Sequence, residues 1–372
     1  MTSMPTFVLS PCGTSLLANS AQGDERRALI QQANAPSREE IASQQPSVLA
    51  VVERACERLR ASDAVDAARM SAEINAILQI YDGSLASANS QDVHYLLCTD
   101  TWLGEVAGEA IAAWLRDHGL TVQVQRQVDL QTRDQQAFQA SLADLAKWCE
   151  QTLPGYRASR FRIVFNLTAG FKSVQGFLLN LAMFYADEAV YIFESGDSLL
   201  RIPRLPVELN AEPIVASHLE AFRRLAMQLS VDARQIVDIP ETLLLTVGEQ
   251  VTLSEWGTLV WNRTRGQLYE RKLHPPPSGR IVYGPQFERS VAGLSSERLY
   301  YINYRLDPLA RFLEGEQNDR LNPRSLRFHA LQGNPTPPST HEFYAWSDRG
   351  AARVYGHFEG NLFVLDRLGE HL

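Results

Sequence analysis

The chain has 372 residues, a mass of 41.7 kDa and a formal net charge of −8, from 35 basic and 43 acidic side chains. Hydrophobic residues make up 45% of it and charged residues 21%, which excludes a disordered, collagen-like or disulfide-scaffold protein. A chain of this length is expected to form two or three domains.

The cysteines indicate reduced thiols, because no CxxC spacing suggests a zinc site or an oxidised framework. The first residues lack the pattern of an export signal, and no apolar window reaches 18 residues. We therefore expect a cytoplasmic protein with no membrane partner, no cofactor and no metal. The four positions are Cys12, Cys56, Cys98 and Cys149.

Basic residues are unusual in kind and in placement. Of the 35, 32 are arginine, and the lysines are Lys147, Lys172 and Lys272. Residues 241–372 hold 15 basic and 15 acidic groups, so the whole net charge lies in residues 1–240. This asymmetry indicates two segments with different functions.

The first 205 residues alternate apolar strands with amphipathic helices. Helical spacing recurs at 103–114, 138–148 and 174–181. Such alternation predicts an α/β domain with a mainly parallel sheet, whose ligands bind beyond the carboxyl ends of the strands. The predicted strands are Phe7–Ser10, His94–Cys98, Thr121–Val128, Phe161–Asn166 and Ala189–Glu194.

A change of pattern follows residue 205. Residues 206–278 carry two helical stripes, at 219–229 and 253–273, and end in a proline run that cannot continue a helix. We expect a helical linker domain at 206–278 and an α+β domain with an antiparallel sheet at 279–372. The elements predicted for the latter are helices Gln286–Gly293 and Ser296–Glu314 and strands Glu342–Trp346, Ala351–Phe358 and Asn361–Leu368.

Three of the N-terminal strands end in small polar loops. Their hydroxyls and backbone N–H groups suit a phosphate-bearing ligand, and Lys172 adds a cation. Each loop alone is more often a helix N-cap, and the GxxxxGK[ST] spacing of a P-loop is absent. The candidate ligand residues are Ser10, Cys12, Gly13, Thr14, Ser15, Thr99, Asp100, Thr101, Thr168, Ala169, Gly170, Phe171, Lys172 and Ser173.

Segments FNLTAGFKS (165–173), LLCTDT (96–101), MSAEINAIL (70–78) and SPCGTSLL (10–17) resemble a CARF domain, the Rossmann-like sensor of type III CRISPR effectors. The resemblance covers residues 1–205. It implies a homodimer that binds a cyclic oligoadenylate, most often the tetra-adenylate. Ala169 stands where the family usually has a glycine, which affects backbone freedom more than chemistry.

The strand predicted at 351–358 has two different faces. Ala352, Val354, Gly356 and Phe358 point one way, and Arg353, Tyr355 and His357 the other. An arginine, a tyrosine and a histidine on one face can bind and act on a phosphodiester, although a plain solvated face has the same pattern.

LRFHALQGN (326–334), EFYAW (342–346) and ARVYGHFEGNLFVLDRLGEH (352–371) resemble the RelE-type toxin ribonucleases, which cut messenger RNA on the ribosome. The resemblance covers residues 280–372 and implies that Arg353 stabilises the scissile phosphate and that His371 transfers a proton. Basic positions of the family fall on Arg324, Arg327 and His329. Further candidates for stacking or proton transfer are Tyr344 and Tyr355.

Together the resemblances imply a homodimeric CARF–RelE effector: an endoribonuclease, activated by cyclic oligoadenylate, that cleaves mRNA on the ribosome without a metal. The RNA 2′-hydroxyl would act as nucleophile, so DNA would not be cut. Two alternatives stay open. One is a ligand-responsive regulator that binds DNA through residues 250–272, and the other is a ring nuclease that degrades its own ligand.

Overall fold

The structure is a computed structural model that describes residues 4–170, 172–193, 198–206, 210–315, 326–331, 337–348 and 350–370. The chain forms two compact units, Met1–Glu208 and Leu209–Leu372. The further division of the second unit at residue 278 stays a prediction. Across the described residues, no helix is both long enough and apolar enough to span a membrane.

The first unit is built on a mainly parallel sheet with the strand order β3-β2-β1-β4-β5-β6. Neighbours from β3 to β5 run parallel, and β6 pairs antiparallel with β5. The predicted parallel α/β architecture is thus confirmed. The antiparallel edge strand β6 was not predicted. The strands are β1 (Thr6–Cys12), β2 (Val93–Cys98), β3 (Thr121–Arg126), β4 (Arg162–Asn166), β5 (Glu188–Ile192) and β6 (Leu199–Pro203).

Several short helices lie between β1 and β2, where the sequence pattern predicted no helix. Side-chain caps start three of them at Ser37, Asp63 and Ser71. Their buried faces share one apolar core with the helix that follows β2. In chain order the helices of this unit are α1 (Ser15–Ser20), α2 (Asp24–Gln31), α3 (Arg38–Gln44), α4 (Ser47–Arg60), α5 (Ala64–Met70), α6 (Ala72–Ile80), α7 (Trp102–Asp117), α8 (Gln135–Ala158) and α9 (Lys172–Tyr185).

The second unit begins with helices around a small antiparallel hairpin. Residues from these elements, among them Phe222, Trp261 and Tyr269, form an apolar cluster of their own. The stripe predicted at 253–273 is confirmed as the longest of these helices. The elements are α10 (Glu212–Ser217), α11 (Leu219–Ala226), α12 (Ala233–Ile236), β7 (Leu244–Val247), β8 (Gln250–Leu253) and α13 (Glu255–Arg271).

The rest of this unit is a sheet with the order β10-β11-β12-β13-β9, packed on one face by two helices. Its pairs are antiparallel except for β13 with β9, which are parallel. The predicted antiparallel hairpins are confirmed. Strand β9 was not predicted, because three residues are too few to show an alternating pattern. The elements are β9 (Ile281–Tyr283), α14 (Pro285–Val291), α15 (Ser296–Glu314), β10 (His329–Ala330), β11 (His341–Trp346), β12 (Ala352–Glu359) and β13 (Leu362–Glu370).

Candidate functional site

A cavity of about 980 Å³ opens in the first unit beside the ends of β1 and β4. Two of the three predicted loops line it, through the six predicted residues given at the end of this paragraph. Helices α1, α2, α5 and α6 supply other walls, including Arg26 and Arg69. Among the described lining residues these arginines are the charged groups and none is a carboxylate, so the cavity favours an anion. The loop residues are Gly13, Thr14, Ser15, Thr168, Ala169 and Gly170.

The loop after β1 is held by a buried acid. Glu73 on α6 is fully buried, and its Oε1 accepts the N–H of Gly13 at 2.9 Å. Its Oε2 accepts the hydroxyls of Ser15 at 2.6 Å and Ser71 at 2.8 Å. Because a buried carboxylate satisfied by several donors is rigidly placed, Glu73 positions this wall of the cavity.

The loops after β1 and β4 touch at two glycines. A Cβ on Gly13 would lie 3.3 Å from the Cα of Gly170, and a Cβ on Gly170 would lie 2.8 Å from the Cβ of Pro11. Gly170 has φ +98°, a conformation that L side chains rarely adopt. Glycine at both positions therefore lets the two loops close on one another at the cavity wall.

Thr168 is fixed at the other wall. Its N–H donates to the side chain of Asn166 at 3.2 Å, and its hydroxyl accepts the N–H of Ile192 at 3.2 Å. Asn166 also donates to the buried hydroxyl of Ser10 at 3.1 Å. Ser10 thus braces β1 against β4 from inside the sheet and does not line the cavity.

The predicted loop after β2 lies apart from the cavity. Thr101 is the N-cap of α7, accepting the N–H of Gly104 at 3.2 Å, and Thr99 bonds to its hydroxyl at 2.9 Å. Asp100 pairs with Arg126 at 2.8 Å. These three residues therefore have the ordinary structural roles of a cap and an ion pair.

Two other predicted ligand residues, Cys12 and Lys172, lie among the described residues. Cys12 is buried, and a hydrogen bond with Cys98 together with burial raises the pKa of its thiol well above the usual value. Lys172 is exposed at the start of α9 and is not among the cavity's described lining residues. Phe171 and the side chain of Ser173 lie outside the described residues.

In the second unit, one face of the sheet gathers the predicted basic and aromatic residues. Ala352, Val354 and Phe358 pack into the core beneath the sheet, so Arg353 lies on the opposite face as the alternation predicts. Its guanidinium carbon is 3.5 Å from the ring centre of Tyr344 on β11. Arg327 donates to the Tyr344 hydroxyl at 3.0 Å.

An acid that the sequence analysis did not single out joins this group. Glu342, 5% exposed, has its Oε1 3.2 Å from Nε2 of His329 and 3.8 Å from Nε of Arg353. Its place could have been read from the same alternation, because it shares a face with Tyr344 two residues along. Arg327, His329, Glu342, Tyr344 and Arg353 form what we call the arginine–tyrosine cluster.

Arg353 is the most informative member of the arginine–tyrosine cluster. It is 6% exposed, and its buried Nε has no hydrogen-bond partner in the described part of the chain. A buried cation with an unsatisfied donor costs free energy unless a ligand completes it. An anionic oxygen bound here would supply that partner.

Tyr355 is buried and is not part of the arginine–tyrosine cluster. Its side chain is fully buried, its hydroxyl donates to the carbonyl of Glu370 at 2.6 Å, and the guanidinium of Arg367 lies 4.8 Å from its ring centre. As placed, it has no exposed surface to offer to a base. Arg324 and His371 lie outside the described residues.

The basic residues of α13, the candidate DNA-binding segment, have partners within the unit. Arg271 pairs with Glu212 at 2.6 Å, and Arg265 stacks over the rings of Trp261 and Tyr304. Leu259 and Leu268 are buried. Helix α13 therefore uses Arg265, Arg271 and its buried leucines for packing within the second unit.

Comparison with known protein families matches part of the first unit. The model of the CRISPR-associated protein family Cas_APE2256 matches residues 68–205, a stretch that contains β2 to β6 and part of the cavity wall. This match supports a CRISPR-associated protein. The comparison with curated proteins gives no match to the chain.

Proposed function

We propose that the chain is a CRISPR-associated endoribonuclease, activated by cyclic oligoadenylate, that cleaves mRNA on the ribosome. In this proposal the first unit binds the activator, as part of a homodimer, and the second unit cuts RNA. The observation that carries it is Arg353, a buried guanidinium whose Nε lacks a hydrogen-bond partner among the described residues, stacked on Tyr344 and sharing Glu342 with His329. The proposal also follows the CARF–RelE architecture that the sequence resemblances imply.

The cavity supports the choice of an anionic activator. Two arginines and the backbone of two glycine-containing loops face it, although the first 240 residues carry the chain's whole net negative charge. Local charge governs what a pocket binds. Cyclic tetra-adenylate, a ring of phosphodiesters with stacking bases, offers charge for Arg26 and Arg69 and a base for the exposed ring of Phe193, which also lines the cavity.

The arginine–tyrosine cluster supports RNA as the substrate. Its reaction would be attack of the 2′-oxygen on the adjacent phosphorus, with loss of the 5′-oxygen and formation of a 2′,3′-cyclic phosphate. Arg353 would hold the phosphate oxygens with its planar fork, and His329 or His371 would transfer protons. Neutral overall charge in the last third fits a substrate that the ribosome presents, since attraction to naked RNA is weak.

The test is a matrix of purified protein, mRNA, ribosomes and cyclic tetra-adenylate. We expect cleavage only when ribosomes and activator are both present, with 2′,3′-cyclic phosphate ends. Arg353→Ala should slow cleavage about 100-fold or more, and Arg289→Ala, at an exposed arginine on α14, should leave the rate unchanged. Cleavage indifferent to both additions would refute the regulated enzyme, and no cleavage under any condition would refute the nuclease.

A further inference from the structure

His357 lies on the same face of β12 as Arg353, in a second polar group that the proposed reaction does not yet use. Its Nδ1 is 2.9 Å from Oδ1 and 3.0 Å from Oδ2 of Asp366. Ser339 donates to Oδ2 of Asp366 at 2.8 Å, and Nε2 of His357 is 3.1 Å from Glu359. The carboxylate of Asp366 thus orients the imidazole of His357, and the hydroxyl of Ser339 orients that carboxylate.

The backbone of β13 is distorted where Asp366 lies. Tyr355 pairs with Arg367 while Gly356 pairs with Leu365, so Asp366 is an extra residue in a β-bulge. Bulges re-aim side chains and are common next to active sites. Here Asp366 lies at the bulge, diagonally across from His357, and its carboxylate contacts Nδ1 of the imidazole.

Burial and charge distinguish the two ends of this group. Asp366 and Ser339 are 9% and 2% exposed, while the side chain of His357 is 17% and that of Glu359 66% exposed. A mostly buried carboxylate therefore anchors Nδ1, and an exposed carboxylate caps Nε2. Substrate can displace Glu359 and reach Nε2 without disturbing Asp366.

We propose that His357, held through Nδ1 by Asp366, is the general acid of the ribonuclease, donating its Nε2 proton to the leaving 5′-oxygen. The proposal rests on the proposed function. As the 2′-oxygen bonds to phosphorus, its proton passes to a base. Among the described residues, His329 is the candidate for this base. The bond from phosphorus to the 5′-oxygen breaks, and that oxygen takes the proton of His357.

Two further observations suit His357 to this role. Burial opposes ionisation of the imidazole, but its hydrogen bonds with Asp366 and Glu359 outweigh it and raise the pKa above the usual value. Among the described residues, these two carboxylates are the charged groups that act on the ring. Arg353 and His357 are four residues apart on β12, which separates their Cα atoms by about 13 Å. The two side chains must therefore extend toward one another for a single phosphate to meet the guanidinium while its leaving 5′-oxygen meets Nε2.

The test uses ribosome-bound mRNA with cyclic tetra-adenylate and two leaving groups: the natural 5′-oxygen, and a bridging 5′-sulfur that leaves without protonation. With oxygen, His357→Gln should lose about 100-fold or more in rate. With sulfur it should come within about tenfold of the wild-type rate, whereas Arg353→Ala should stay slow on both substrates. His218→Gln, at the N-cap of α11 and outside the sheet, serves as the matched histidine control.

Each outcome has a distinct reading. Wild-type rates for His357→Gln on the oxygen substrate, or equal losses on both substrates, would overturn the general-acid role, the second by showing a structural one. Glu359→Gln should move the alkaline limb of the pH–rate profile to lower pH, because it removes a charge that raises the pKa of His357. A wild-type protein that cuts neither RNA would instead overturn the proposed function.

Discussion

Arg223 and Asp307 form a buried ion pair in the second unit, with Nε donating to Oδ1 at 2.7 Å and side chains 1% and 3% exposed. Tyr269 donates to the other oxygen at 2.5 Å. The remaining guanidinium nitrogens donate to the carbonyls of Pro275 and Asn303. The pair therefore joins α11, α13, α15 and the proline-rich segment that the sequence analysis took as a domain boundary.

Substituting one partner of this pair should destabilise the unit strongly. Asp307→Asn keeps the size of the side chain but leaves Arg223 as a buried charge without a counter-ion. We expect a loss of about 3–5 kcal/mol in the free energy of unfolding, measured by urea denaturation. Asp348→Asn, which breaks a half-exposed pair with Arg298, should cost under about 1 kcal/mol. Equal losses for the two variants would contradict this.

Contact between the two cavity loops predicts that Gly170 cannot carry a side chain. In Gly170→Ala the new Cβ would meet Pro11 at 2.8 Å in a backbone conformation that costs about 1–3 kcal/mol for other residues. We expect lower stability and at least tenfold weaker binding of cyclic tetra-adenylate by calorimetry. Gly155→Ala in α8, where a Cβ meets open space, should be neutral or stabilising by up to about 1 kcal/mol. A Gly170→Ala protein that binds like the wild type would refute the steric argument.

Sequence periodicity predicted the parallel α/β architecture because the central strands are short apolar runs and the main helices carry clear apolar stripes. The helix predicted at 296–314 begins and ends where the structure has it, and the hairpin strands agree within about two residues. Four of the unpredicted helices α1–α6 have only six to eight residues, too few to show a period. The 14-residue α4 was also missed, although Val48, Val51, Val52, Ala55 and Leu59 form a buried stripe at helical spacing.

The sites were predictable in part for a related reason. Loops that follow parallel strands meet at one sheet edge, which brought Gly13 and Thr168 to one cavity. The strand order then placed Thr101 on the other side of β1, and no local pattern reveals strand order. Arg26 was missed because its role depends on tertiary packing rather than on spacing, whereas the alternation of β11 could have placed Glu342 on the face of Tyr344.

The cavity arginines should govern binding of the anion. Arg26→Gln and Arg69→Gln each remove a charge from the lining, and a hydrogen bond to a charged group contributes about 1.5–3 kcal/mol. We expect each variant to bind cyclic tetra-adenylate at least tenfold more weakly, with a shallower salt dependence. Arg27→Gln changes the next residue, an exposed arginine paired with Asp24, and should leave binding unchanged. If all three variants bound alike, the cavity would not be the ligand site.

His94 predicts a pH dependence of stability in the first unit. Burial lowers its pKa from 6.5 to about 4, so the folded state holds the ring neutral while the unfolded chain binds a proton between those values. The contribution is therefore fully present above pH 6.5 and is lost as the pH falls toward 4, about 3 kcal/mol in all. His94→Gln should lack this component. Urea denaturation of both proteins from pH 4 to 7 measures it, and parallel pH profiles would exclude it.

Arg353 should require its guanidinium and not only its charge. Arg353→Lys keeps a cation but loses the planar fork and the stack on Tyr344, whose ring centre lies 3.5 Å from the guanidinium carbon. We expect RNA cleavage to fall at least tenfold in Arg353→Lys and about 100- to 1,000-fold in Arg353→Ala, the range for losing one donor to a transition-state charge. Thermal denaturation checks that both variants fold, since Arg353 is buried beside Glu342. Wild-type cleavage by folded Arg353→Lys would show that a point charge suffices, and would remove the geometric argument for a bidentate phosphate contact.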